Sequence, residues 1–309
     1  VACVRRPVHK IIPYVVKPEE VTPGVANFYA TTNPHTGSGM LVRVREGRPV
    51  KLEGNDLHPL SKGKLGAAEQ AEILSLYDPE RLKAPVSRRR GSSSSTKMDW
   101  SAFDGAVVEQ LKKVAAAGGS VRVLSSEIRS DTTRKLVEEF LSQFKGSSLV
   151  EFDPLALDEV AQGQELSYGT AVVPHYRFER ADFILSLGAD FLGTWPNSTE
   201  NAQGWASRRK LNGKDHDLSK MVVFESMMSV TGANADERYP VRPGDEVKVA
   251  LAVAHALAAR GVSMPADAQA AISGHKPEAV AQELGMKDGG ATFRKIAEEL
   301  HQNRGKSVV

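Results

Sequence analysis

Phe183-Ile184-Leu185-Ser186-Leu187 and Met221-Val222-Val223-Phe224 decide the fold. Each is a short, near-continuous apolar run, the pattern of a strand in a parallel sheet covered on both faces. A helix within Thr199 to Lys210 separates them, and an apolar run with helical spacing, Asp245 to Ala259, follows. The same alternation runs upstream. Helix Trp100 to Ala117 ends at Gly118-Gly119 before strand Val121 to Leu124; helix Asp131 to Phe144 ends at Gly146 before strand Leu149 to Phe152; a helical region spans Leu157 to Ala171. Alternating strands and amphipathic helices predict a doubly wound, mostly parallel α/β domain over residues 98–309. The sequence closes on an amphipathic helix, Phe293 to His301, the turn Arg304-Gly305-Lys306, and Ser307-Val308-Val309 as the first residues of another strand. The domain is therefore expected to continue beyond Val309.

Ahead of this domain the pattern changes. Gly91-Ser92-Ser93-Ser94-Ser95 is the lowest-complexity stretch of the chain and makes 87–97 the expected linker. Residues 25–86 read as a small antiparallel β region. Its strands are Phe28 to Thr32, Met40 to Arg45 and Val50 to Glu53, with the turn Glu46-Gly47-Arg48 and one helix over Ala67 to Tyr77. Leu41-Val42-Arg43-Val44-Arg45 alternates apolar and charged residues as a half-buried strand does. Residues 1–24 carry Pro7, Pro13, Pro18 and Pro23, which exclude both helix and central strand and predict an extended arm laid on a neighbour.

Composition excludes several functions. With 309 residues the chain has room for one domain or two, and a net charge of +2 gives no electrostatic footprint for nucleic acid or an anionic membrane. The basic run Arg88 to Arg90 leads into serines rather than aromatics and reads as a solvated linker. No stretch reaches the roughly 20 apolar residues of a membrane helix. The single cysteine, Cys3, excludes an internal disulfide and any four-cysteine cluster or zinc site made by this chain alone. Cys3 follows Val1-Ala2, compatible with the end of a lipoprotein cleavage site and lipid attachment; the plainer reading is a free thiol on a flexible arm. The absence of an initiator methionine fits a removed targeting segment.

Few residues invite chemistry. His9, His35, His58, His175, His216, His255, His275 and His301 form no short-spaced metal pair and read as structural or exposed. Ser125-Ser126-Glu127, Leu187-Gly188-Ala189-Asp190 and Glu225-Ser226 stand at strand ends, where open α/β sheets bind ligands, although structural turns are the preferred reading. Trp195-Pro196-Asn197-Ser198 and Trp205 suit a pocket, a core or, the preferred reading, an interface. There is neither a glycine-rich phosphate loop nor a nucleophile elbow.

Residues 37–85 follow an order unusual for a simple hairpin. Val42-Arg43-Val44-Arg45-Glu46-Gly47-Arg48-Pro49-Val50 leads to Glu53-Gly54-Asn55, His58-Pro59, Gly63-Lys64-Leu65-Gly66 and Pro79-Glu80-Arg81-Leu82-Lys83-Ala84-Pro85. This resembles the N-terminal iron-sulfur region of molybdopterin oxidoreductases, where such a hairpin precedes H-P, a G-x-L-C segment and a P-x-R-L-x-x-P exit. In that family three cysteines before the hairpin and a fourth in G-x-L-C hold a [4Fe-4S] cluster. Here Tyr29 to Gly39 contains no cysteine and Gly66 stands at the last ligand position, so the resemblance implies a fold kept and a cluster lost. A second match, Val222 to Phe224, Thr231-Gly232-Ala233-Asn234-Ala235-Asp236 and Arg242-Pro243-Gly244, resembles the segment in which T-x-x-x-A-D and an R-P-G turn open a helix. Asp245 is then expected as N-cap or first-turn carboxylate.

The arm Pro7 to Val15 with Glu19 to Thr32 is similar to the large iron-sulfur subunit of alternative complex III, a quinol-oxidising bacterial assembly. That resemblance implies a cofactor-free module and no catalytic, cofactor-binding or metal-binding residue in this chain. It also implies iron-sulfur clusters in a continuation, partner subunits of a membrane-bound complex, and export to the periplasmic side of the cytoplasmic membrane. The expected role is a non-catalytic structural and assembly module. The alternatives are a fragment of an active molybdenum or tungsten bis(pterin) oxidoreductase, and a module binding a nucleotide or quinone.

Overall fold

A computed structural model describes residues 15–16, 18–128, 130–153, 157–211 and 218–309. In chain order the elements are β1 (Asn27–Thr32), β2 (Gly39–Arg45), β3 (Arg48–Gly54), α1 (Ala67–Ala71), α2 (Ile73–Tyr77), β4 (Val86–Ser87), β5 (Thr96–Lys97), α3 (Trp100–Ala116), β6 (Arg122–Ser125), α4 (Asp131–Ser142), β7 (Ser148–Glu151) and α5 (Asp158–Tyr168). There follow β8 (Phe183–Leu187), α6 (Ser198–Ser207), β9 (Lys220–Glu225), α7 (Val230–Ala233), β10 (Glu237–Pro240), α8 (Glu246–Ala258), α9 (Ala266–Ile272), α10 (Pro277–Glu283), α11 (Ala291–Gln302) and β11 (Ser307–Val308).

The chain forms two compact units, residues 75–176 and the combination of residues up to 74 with 177–309. The linear division expected from composition cuts elsewhere. Val86–Ser87 pairs with Thr96–Lys97, closing the serine tract into a loop inside the 75–176 unit, and the antiparallel region groups with the C-terminal sheet. The four later strands were expected in one sheet, but among the described residues β6 pairs only with β7, in parallel, while β8 and β9 belong to a separate four-stranded parallel sheet of order β10-β9-β8-β11.

In that sheet both faces of the central strands are buried. Phe183, Leu185, Val222 and Phe224 point to one side and pack on Val249, Ala252, Val253 and Ala256 of α8, Val280 and Ala281 of α10, and Phe293, Ile296 and Ala297 of α11. Their neighbours in sequence, Ile184, Met221 and Val223, point the other way and are equally buried. Alanines at 252 and 256 let α8 approach the strands closely, and the Phe224 ring lies between Tyr239 and Phe293, with centroids 4.9 and 6.1 Å away. The 75–176 unit has a thinner core, in which Leu141 and Phe144 are the buried apolar side chains among the described residues.

The hairpin is built as its sequence indicates. Glu46 and Gly47 both take positive φ, the two-residue turn that matches strand twist, and β1-β2-β3 pair antiparallel with an irregularity at Arg43/Val44. The helix expected over Ala67 to Tyr77 is interrupted at Glu72, giving α1 and α2. The described part of the expected extended arm is folded into turns. Val21 N–H donates to Pro18 O, and Val25 N–H to Thr22 O with Pro23 and Gly24 (φ +80°) between, the residues a type II turn requires. Cys3, His9 and His216 lie outside the described residues.

At the N-terminal edge of the sheet, Lys220 and Lys295 each place Nζ 3.0 Å from Glu237 Oε1, and Tyr239 OH donates to Glu237 Oε2 at 2.9 Å. Burial opposes ionisation of this carboxyl, but the hydrogen bonds from Lys220, Lys295 and Tyr239 outweigh it and bring its pKa from 4.5 down to about 2. The stabilisation is therefore complete above pH 4.5 and lost as pH falls toward 2. Glu237→Gln should lower the melting temperature at pH 7 and flatten its decline between those two pH values. Truncating the fully buried Phe293 to Ala should cost about 3–5 kcal/mol, read from the midpoint of denaturant unfolding.

Candidate functional site

Two places in the fold correspond to ligand positions: the C-terminal edge of the parallel sheet, and the loop–helix corner beside the β1-β2-β3 hairpin. At the sheet edge, β8 runs into Gly188 (φ +75°) and Asp190, β9 ends on Glu225, and β10 leads through Arg242-Pro243-Gly244 into α8. The three exits are tied together by backbone bonds, Gly188 N–H to Phe224 O at 2.8 Å and Val241 N–H to Glu225 O at 3.1 Å.

Asp190 and Glu225 both turn inward. The Asp190 carboxylate accepts from Thr231 N–H (3.0 Å), Thr231 Oγ1 (2.8 Å) and Thr194 N–H (3.0 Å), while Thr231 Oγ1 accepts from Leu192 N–H at 3.0 Å. Glu225 is 5% exposed; it accepts from Ser229 Oγ (2.6 Å) and Ser229 N–H (3.2 Å) and pairs with Arg238 Nε at 2.5 Å. Burial opposes ionisation of both groups, and these hydrogen bonds prevail, holding each carboxyl below its ordinary range. Ser229 also caps α7 by accepting from Gly232 N–H, and a Cβ at Gly232 would stand 1.7 Å from Glu225 Oε1. The turn 229–232, with Thr194 and Arg238, thus engages both strand-end carboxylates within the chain. What it turns outward is apolar: Met227, Met228 and Val230 are all exposed.

The flanking residues are likewise structural. Asp236, the aspartate of the T-x-x-x-A-D segment, accepts from Met221 N–H (2.7 Å) and holds Arg209 through two bonds of 2.7 and 2.9 Å. Arg209 covers the half-buried ring of Trp205, its guanidinium 5.5 Å from the centroid, so that part of the tryptophan's expected interface is used within the chain. Asp245 stands at the N-cap of α8, as expected, but its side chain makes no capping bond and pairs with Lys248; Glu246 reaches back to Gly244 N–H at 2.7 Å. In the other unit, the turn after Ser125 is organised from β7, Ile128 N–H donating to Glu151, which also binds Arg134 at 2.8 and 3.0 Å.

Among the described residues the hairpin corner holds no thiolate. The loop Asn33 to Ser38 and the helix start Gly66 to Glu69 meet through side chains: Thr36 Oγ1 bonds Glu69 Oε1, and Gly66 N–H donates to Glu69 Oε2. A Cβ at Gly66 would lie 3.2 Å from both Glu69 Oε2 and Thr199 Oγ1. Asn33, Ser38, Ser61 and Glu69 are buried, and His58 serves the turn, its Nδ1 3.3 Å from Ser61 N and its ring against Gly39. Amides, hydroxyls and carboxylates already bonded to one another do not fit an iron-sulfur cluster. Among the described residues no group of three or more His, Cys, Asp or Glu side chains could hold a metal ion, and no helix is long and apolar enough to cross a membrane. Sequence reasoning registered the missing cysteines but not the network in their place; Glu69 three residues after Gly66, the spacing of a capping box, was the available signal.

Comparison with known proteins shows what the chain is similar to. Over 255 residues the chain is 31% identical to the menaquinone reductase, molybdopterin-binding-like subunit of Nitratidesulfovibrio vulgaris, covering 81% of this chain and 36% of that protein. It is 23% identical over 248 residues to the arsenate respiratory reductase molybdopterin-containing subunit ArrA of a Shewanella species, covering 77% of this chain and 28% of that one. The fold is similar to that of acetylene hydratase from Pelobacter acetylenicus, with a TM-score of 0.60 at 14% identity over 91% of this chain and 38% of the hydratase. No protein-family model matches. The chain's homologues are molybdopterin-binding oxidoreductase subunits, its α/β fold is of that kind, and it spans little more than a third of the longest-covered relative.

Substituting Gly232 by Ala should drive a methyl into the Glu225–Arg238 pair and destabilise the chain by about 1–3 kcal/mol, measured as a shift in the denaturant midpoint. Gly244→Ala, where a Cβ meets nothing but φ is +90°, serves as a control for backbone strain alone.

Proposed function

We propose that this chain is a non-catalytic structural and assembly module of a quinol-oxidising respiratory electron-transfer complex of the alternative complex III type. In this reading it descends from the molybdopterin oxidoreductases, carries no cofactor of its own, and supports a cluster-bearing continuation and partner subunits. Its α/β architecture is, in this reading, the doubly wound one of that family's kind.

The observation that carries the reading is the closed C-terminal edge of the sheet. A ligand site keeps a few polar groups free to converge on the ligand. Here Asp190 and Glu225 are instead bonded to Thr231, Thr194, Ser229 and Arg238 of the same chain. The similarity to a subunit of a protein named as a menaquinone reductase supports a quinone-linked assembly, and the greater length of the relatives leaves room for the cofactor-bearing part. Residence on the periplasmic side, with membrane association through partners or a lipid on Cys3, belongs to the same proposal and is supported by the likeness of the N-terminal arm.

The competing reading is an active molybdenum or tungsten bis(pterin) oxidoreductase, favoured by the similarity to a subunit named as molybdopterin-containing. Elemental analysis by mass spectrometry, with pterin fluorescence after oxidation, separates the two when applied to this chain and to the natural polypeptide in its complex. The expected result is iron in the natural polypeptide alone, with no molybdenum, tungsten or pterin in either. Stoichiometric molybdenum or tungsten with pterin would replace the scaffold reading by the enzymatic one.

A further inference from the structure

The polar groups at the hairpin corner form one connected network. Asn33 is fully buried: its Oδ1 accepts from His35 N–H (2.8 Å) and Thr36 N–H (3.0 Å), and its Nδ2 lies 2.8 Å from each carboxylate oxygen of Glu72. Its backbone closes the loop, with Asn33 N–H donating to Ser38 O at 2.9 Å and Gly37 N–H to Asn33 O at 2.9 Å. Thr36 Oγ1 then joins Ser38 Oγ, 3.1 Å away, and Glu69 Oε1. Glu69 holds the Gly66 N–H, and Ser61 Oγ accepts from Gly39 N–H at 3.2 Å. The network thus binds three segments: the β1–β2 loop, the turn after β3, and the start of α1.

Two of those segments are the ones on which the resemblance places the four cluster thiolates, the stretch before the hairpin and position 66. In this structure they are in direct hydrogen-bond contact, and nothing separates Thr36 from Glu69. A cluster bridging them would need both that space and thiolates, and the buried Glu69 carboxylate, Asn33 amide and Ser38 hydroxyl would then lose their partners, which is costly for buried polar groups.

We infer that the Asn33–Thr36–Ser38–Glu69–Glu72 network is a metal-free replacement for an iron-sulfur cluster, fixing the β1–β2 loop to the start of α1 without iron. This goes beyond the scaffold reading and does not depend on it: pterin bound elsewhere in the chain would leave it standing. The charge state agrees with the geometry. Burial opposes ionisation of Glu69, yet the bonds from Thr36, Ser38 and the Gly66 amide keep its carboxyl below the ordinary range.

The test uses the 309-residue chain. Hydrogen–deuterium exchange is compared for the wild type, Glu69→Ala, the conservative Glu69→Gln, and Thr36→Val, which removes one hydroxyl at an exposed position and is expected to fold. Exchange should accelerate at least tenfold in both 33–39 and 66–72 for Glu69→Ala and Thr36→Val, less for Glu69→Gln, and remain unchanged in 183–187. Anaerobic incubation of the wild type with ferrous iron and sulfide should give no cluster absorbance, no signal in electron paramagnetic resonance after reduction, and no shift in melting temperature. Unchanged exchange in Thr36→Val and Glu69→Gln would overturn the inference. So would a reconstituted cluster with about four irons per chain that raises the melting temperature, because the corner would then still be a metal site.

Discussion

Burial of both faces of β8 and β9 is the constraint on which the larger unit depends. A parallel strand so placed has no solvent-facing side, so every side chain along it must be apolar or fully bonded, and every backbone group must be paired within the sheet. Phe183 to Leu185 and Met221 to Phe224 meet the first requirement; pairing of β9 with both β8 and β10 meets the second. The consequence appears where the apolar run stops. Glu225 is still buried when β9 ends, so its charge must be answered on the spot. Arg238, on the neighbouring strand, and Ser229, on the turn that follows, do this. A buried ion pair of this sort is weak evidence of stability in itself, but removing either partner leaves an uncompensated charge. The turn geometry and the register of β10 are therefore coupled through one carboxylate.

This coupling explains how much of the molecule could be read from sequence. The runs 183–187 and 221–224 and the helix near 245–259 were legible because a doubly buried strand has few permitted residue types. Their pairing was not. Nothing in Val121 to Leu124 or Leu149 to Phe152 distinguishes a strand that joins the larger sheet from one that pairs apart, since parallel pairing depends on contacts distant in sequence. β10 escaped notice because Glu237-Arg238-Tyr239-Pro240 is charged and ends in proline, a pattern suited to an edge strand, which is the place it occupies. The short helices α9 and α10 have too few turns for a clear period.

Candidate site residues were legible as positions but not as roles. Asp190 and Glu225 stand at strand ends, where sequence reasoning places ligand contacts. Their partners Thr231 and Ser229 lie in a separate turn, so whether a carboxylate faces a ligand or its own chain is decided by a fold-level encounter 41 residues apart in the case of Asp190. Asp245 shows the same limit at short range: its position at the N-cap of α8 was legible, but its neighbour Glu246 makes the backbone contact.

The hairpin corner and the sheet edge obey a common rule. In each, buried polar groups that a ligand could satisfy are satisfied by the chain itself, at the corner through Asn33 and Glu69 and at the edge through Thr231, Ser229 and Arg238. Similarity to acetylene hydratase at 14% identity shows how far side chains can change while the backbone arrangement persists. Such persistence demands that polar groups exposed by a lost ligand find new partners, because each left bare in the interior would cost about 1–3 kcal/mol, a large part of a domain's net stability. A corner without metal can keep its shape only if its buried polar groups are fully bonded to one another. Glu69, reached by the Gly66 amide and by Thr36 from the opposite segment, supplies that bonding between the two segments.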